Sequence, residues 1–96
     1  MIREVELLVE HLEDFVDKAL LTYREFCEKI KTSEYTVEKC TSRLAQALIP
    51  IVREYIARNI YPRIALLTVK YKITTPELSE RAEKALLKLR EATRAK

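Results

Sequence analysis

The absence of glycine constrains this chain more than any other feature: its 96 residues contain none. Glycine lets a backbone enter positive-φ turns without steric cost and lets it approach a phosphate closely. A chain without it is disfavoured as a β-rich or nucleotide-binding fold, and a Walker loop or dinucleotide fingerprint is excluded. Helix formers take its place, with Ala, Leu, Glu, Lys and Arg throughout. The length suits one domain, 1–96, with a modest core.

The apolar residues concentrate in Leu44–Ile73, where they make up 19 of 30 positions, so this stretch is expected innermost. Before it, residues 3–31 read as one long amphipathic helix. Val5, Leu8, Leu12, Phe15, Val16, Ala19, Tyr23, Phe26, Cys27 and Ile30 follow the three-four spacing of a single broad face. Thr32 and Ser33 are the expected cap of a second helix over 34–48, with Val37, Cys40, Leu44, Ala47 and Leu48 inside. Pro50 predicts a kink or break. The pattern resumes over 51–60 through Val52, Tyr55, Ile56 and Ile60. Asn59 suits a left-handed helix end and Pro62 a first turn, which places a boundary at 59–62 and a further helix over 62–72. The alternation of Val69–Ile73 offers a short strand instead. A last helix over 76–94 has Thr75 as cap, Pro76 at its first position and the narrow seam Leu78, Ala82, Ala85, Leu89, Ala92. The expected fold is all-α: a single-domain bundle of four to five helices, kinked or broken at Pro50 and Pro62.

Charge is unevenly divided. Residues 1–40 carry net −4 and residues 41–96 net +7, within a total of +3. Arg53, Arg58, Arg63, Lys70 and Lys72, interleaved with Tyr55, Tyr61 and Tyr71, form a nucleic-acid candidate, since cations neutralise phosphates and aromatic rings stack on unpaired bases. The competing reading is a structural face whose long side chains reach outward to water. Glu6, Glu10, Glu13 and Asp17 line one edge of the first helix, where like charges repel. They are either a docking edge for a basic partner or the counterpart of the chain's own basic half. Leu87, out of phase with the last seam, is a further docking candidate. Cys27 and Cys40 lie equally far from the turn at 33–34, so a helical hairpin brings them level, either as a disulfide staple or as two buried free thiols acting as small hydrophobes.

Nothing in the sequence assembles a catalytic site. His11 has only Asp14 three residues on and no nucleophile motif beside it, so no catalytic residue, metal or cofactor is expected. Thirteen Glu against two Asp, with one Asn and one Gln, is a charged, amide-poor profile that suggests a thermophilic source. The longest uncharged run, Leu44–Val52, is too short for a membrane span. The opening MIREVELLVEH lacks a signal-peptide layout, so the expected location is cytoplasmic, with no membrane partner.

The expected function is therefore a non-enzymatic helical accessory subunit. It would dock on a larger protein assembly, such as nucleic-acid-processing machinery, or on further copies of itself. The alternative is a small basic DNA- or RNA-binding dimer. A remoter one is an all-helical enzyme in which Arg24, Arg53 or Arg58 clamps an anionic metabolite.

Overall fold

The helix-forming sequence gives three helices rather than four or five. A computed structural model describes residues 2–94, and no strand occurs among them. The first helix is Ile2–Ile30. The middle helix runs without interruption from Val37 to Tyr71: an α-helical part Val37–Tyr55, a π-helical turn Ile56–Ile60 and an α-helical part Tyr61–Tyr71. The last helix is Pro76–Ala92. The turn at 31–36 is tied by Thr32, whose hydroxyl accepts the Tyr35 N–H at 2.9 Å. Thr36, not Thr32 or Ser33, caps the middle helix by accepting the Lys39 N–H at 3.2 Å. Thr75 stands at the cap position of the last helix, but its buried hydroxyl makes no hydrogen bond.

The expected breaks fail for identifiable reasons. Pro50 sits on the exposed side of the middle helix, where water can solvate the Gln46 carbonyl that it leaves unpaired. At Pro62 the helix widens instead of ending. In the π turn, the Tyr61 N–H reaches back five residues to the Ile56 carbonyl. Side chains add hydrogen bonds to the backbone around this turn. Asn59 donates to the Tyr55 carbonyl at 3.2 Å, and Arg63 donates to the Asn59 carbonyl at 2.9 Å. Asn59 thus stabilises the helix from within rather than ending it. The short strand at Val69–Ile73 does not form; Val69 to Tyr71 are helical.

The core joins Val5, Val9, Leu12 and Val16 of the first helix to Ala45, Leu48, Val52, Ile56, Ile60 and Leu67 of the middle one and Leu78, Ala82, Ala85 and Leu89 of the last. It is rotated from the expected faces. Val9 and Ala45 are fully buried, whereas Phe15 and Phe26 remain about half exposed and Ala47 is exposed. The last helix covers one flank of the apolar stripe on its two neighbours and leaves the other flank open.

Chain direction alternates, as Glu4 beside Arg63 and Cys27 beside Cys40 require. The last helix, with 17 residues against 29 in the first, covers only the waist of a molecule 55 Å long. Its end meets Ser42, whose hydroxyl donates to the Thr93 carbonyl at 2.9 Å. At the other pole, residues 61–71 touch the first helix only near its start and project as a tip.

The tip closes on Lys72, the one non-glycine residue with positive φ (58°) among those described. The amides of Lys72 and Ile73 both donate to the Leu67 carbonyl. A left-handed helix end is ordinarily a glycine position, because a Cβ there clashes with the backbone. Lys72→Gly is therefore expected to raise stability by about 0.5–1 kcal/mol, read from urea melts. A loss instead would mean that the lysine side chain is itself stabilising.

Candidate functional site

Three longitudinal seams join the helices, and they differ in kind. The seam between first and last helices is closed by ions. Arg81 forms a two-point pair with Glu13, and Lys88 meets Asp17 at 2.9 Å. The hydrogen bonds that Arg81 donates to Glu13 hold its guanidinium above its ordinary pKa, and the Glu10 and Glu6 charges add to this. Glu10 also faces Arg3 at 3.6 Å. Of the acidic edge, Glu13 and Asp17 thus meet cations of the last helix, Glu10 meets Arg3 of its own helix, and Glu6 adds only its charge near Arg81.

The seam between first and middle helices is open. His11, Leu12, Phe15, Ile51, Val52 and Tyr55 line a groove of about 360 Å³ there. Phe15 and Ile51, at 49% and 61% exposure, stand at its rim. His11 lies on the rim too, exposed, and among the described residues no three His, Cys, Asp or Glu side chains are placed to hold a metal ion.

A shallower recess separates middle and last helices, lined by Pro50, Arg53, Ile56, Tyr61, Glu83 and Leu86 among others. Leu87, 44% exposed, stands on the outer face of the last helix beside it. The Tyr61 hydroxyl donates to Glu83 at 3.2 Å. Partial burial and the Glu83 carboxylate raise the phenol above its ordinary pKa, which keeps it a neutral donor.

The basic stretch does not converge on one face. Arg58 is paired with Glu54 at 2.8 Å, on a different side of the helix from Arg53. Arg63 turns toward the first helix, where Glu4 accepts from its Nε at 3.0 Å. Only Lys70 and Lys72, on either side of Tyr71, sit together at the tip, with Lys70 5.5 Å from the Tyr71 ring centre. Neither has an ion-pair partner among the described residues. Around them Leu66, Val69, Tyr71 and Ile73 are 47%, 71%, 42% and 37% exposed.

The three arginines suggested for an anionic metabolite do not meet either. Arg24 lies toward the disulfide pole, in a recess with Glu38, Thr41, Glu91 and Arg94, where two glutamates balance two arginines. At that pole Cys27 and Cys40 form a disulfide with their Cα atoms 5.7 Å apart.

The chain matches no family model, no curated protein and no solved structure. No helix among the described residues is long and apolar enough to cross a membrane.

Sequence reasoning missed the groove and the apolar part of the tip. Phe15 and Ile51 read as core, and a helical wheel alone does not say which flank a third helix covers. The signal for the tip was available. No acidic residue occurs between Glu54 and Glu77, and apolar side chains occupy successive positions all round the helix there.

Proposed function

We propose that this protein is a non-enzymatic helical interaction subunit that docks its projecting tip on a partner protein. The partner surface is apolar at its centre and acidic around it. One observation carries this reading: Leu66, Val69, Tyr71 and Ile73 are exposed at a helix end, flanked by Lys70 and Lys72, which have no ion-pair partner among the described residues, and no acid occurs between Glu54 and Glu77. Buried apolar side chains supply affinity in such a contact, and the rim charges supply orientation and speed of encounter. Retention of a strained lysine where glycine would relieve the backbone fits a functional tip.

A nucleic-acid surface has weaker support, because two of its five candidate cations already hold carboxylates and Arg53 lies in a recess away from Lys70 and Lys72. Nucleic acid in the assembly would then be met through the partner.

Affinity capture from the native host tests the reading, using wild type, Val69→Asp and the pair Lys70→Glu/Lys72→Glu. Val69 is 71% exposed, so its substitution leaves the fold intact. The expected result is a protein that survives nuclease and moderate salt, then binds as a purified acidic-rimmed component. Val69→Asp should abolish that binding, and the charge reversal should weaken it at least about tenfold. Retention of the same protein by both variants defeats the proposal. Release by nuclease hands the function to the nucleic-acid alternative.

A further inference from the structure

We propose that the groove between the first and middle helices receives a second copy of this chain, packed antiparallel about a two-fold axis near Phe15 and Ile51. This surface lies away from the docking tip, and the inference goes beyond that reading.

The first argument is the width of the apolar stripe. A helix packed in a core carries apolar residues on the face it buries and polar ones elsewhere. Here the stripe of both helices continues past the core onto the open flank, through Leu8, Phe15 and Phe26 on one side and Leu44, Ile51 and Tyr55 on the other. Phe15 and Ile51 lie level with each other, because Glu4–Arg63 and Cys27–Cys40 fix the register of the two helices. Two such grooves laid together bury four helices around a shared apolar line, the arrangement of a four-helix bundle.

The second argument is charge, and it selects a second copy over an unrelated helix. Asp14 and Lys18 are exposed on the first helix next to Phe15, outside the groove's own lining and four residues apart, and neither has an ion-pair partner among the described residues. A two-fold axis at this level places Asp14 of one copy opposite Lys18 of the other, and repeats the pair by symmetry. A two-fold axis along the helices would instead set the first helix of each copy against the middle helix of the other and would not bring Asp14 and Lys18 together. A self-complementary patch is what an isologous interface requires.

The third argument is size. From Leu8 to Phe26 the open flank of the first helix, with the groove within it, is roughly 27 Å long at 1.5 Å per residue. Two helices across, each about 10 Å wide, it offers on the order of 500 Å² per copy. That falls below the roughly 800 Å² of a standard stable interface, so a dimer of moderate affinity follows. In it the two docking tips would point to opposite ends, roughly 60 Å apart, so that one dimer could bridge two partner molecules.

Light scattering on the purified full chain across about 10–500 µM, the range of a moderate interface, tests the proposal. Wild type should reach twice the 11.3 kDa chain mass as concentration rises. Phe15→Glu and Ile51→Glu should each remain monomeric with unchanged helical circular dichroism, since both side chains are half exposed and the fold does not depend on them. Asp14→Lys should weaken the dimer at least about fivefold, and adding Lys18→Asp should restore it. Wild type monomeric throughout, or a dimer indifferent to Phe15→Glu and Ile51→Glu, overturns the proposal. A dimer indifferent to Asp14→Lys overturns the antiparallel arrangement. None of these substitutions touches the tip, so this result and the capture result stand or fall separately.

Discussion

Reduction of the Cys27–Cys40 bond is expected to lower stability by about 3 kcal/mol, the loop entropy released when a cross-link closing some fourteen residues is opened. For a chain of this length, that corresponds to a fall of roughly 12–24 °C in Tm. The place of the bond argues for an effect of this size. The last helix ends at Ala92 and meets the middle helix at Ser42, so beyond that level only two helices continue. Cys27 and Cys40 are buried there but lie outside the main core cluster. Among the described residues this pole is otherwise held by the hydrogen-bonded turn at Thr32–Tyr35, the Thr36 cap, the exposed Lys39 ammonium on the Glu34 carbonyl and the exposed pair Lys31–Glu28, which adds almost nothing. The loss should therefore be local first. Amides of residues 24–41 should exchange fast in the reduced protein while those of Val9, Val52 and Leu89 stay protected. Urea melts with and without reductant, together with Cys27→Ser/Cys40→Ser, measure the effect. A change under about 1 kcal/mol would place the stability of this pole in the turn rather than in the cross-link.

That the two cysteines stand level could be read from the sequence, because it depends only on the midpoint of the turn, and the turn at 31–36 keeps the midpoint expected at 33–34; the sequence left open whether they are bonded. The last helix was equally legible. Its seam is so narrow that Leu78, Ala82, Ala85 and Leu89 admit a single inward face, and all four are buried. The broad stripe of the first helix admits several, and the choice among them depends on where another part of the chain packs. Val9 and Phe15 therefore exchange expected places. Charges followed the same rule: the kinds of side chain in Arg53–Lys72 were plain, but their directions depend on the phase of the helix that carries them. Pro50 and Pro62 read as local stops, yet packing along the whole helix outweighs a proline's cost of about 3 kcal/mol when its unpaired carbonyl can reach water. The π turn leaves one trace in the sequence. Leu48, Val52, Ile56 and Ile60 are spaced by fours, and in an α-helix each such step drifts about 40° around the axis. After three steps an α-helix would carry Ile60 out of the core, and the widened turn brings it back.

That phase argument predicts opposite fates for two alanines that look alike. Ala47 and Ala57 are both exposed on the middle helix, and removing either shortens it by one residue. Removing Ala57, with Pro62→Ala to restore the missing N–H, converts the π turn into ordinary α-helix. Ile60, Arg63 and Leu67 then keep their directions, because the turn held one residue more than an α-helix needs. Stability should stay within about 1 kcal/mol of wild type. Removing Ala47 instead rotates everything after it by about 100° relative to Cys40 and Ala45. Relaxation of the π turn can correct the phase only beyond Ile60, so Leu48, Val52 and Ile56 leave the core together. At about 2–5 kcal/mol for each large side chain lost, this exceeds or consumes the 5–15 kcal/mol of a typical domain. The Ala47 deletion should therefore be unfolded or molten at 37 °C, without a cooperative melt by circular dichroism. Equal damage from both deletions would mean that the π turn is needed for itself, for the carbonyls it turns toward Asn59 and Arg63, and not for the phase it restores.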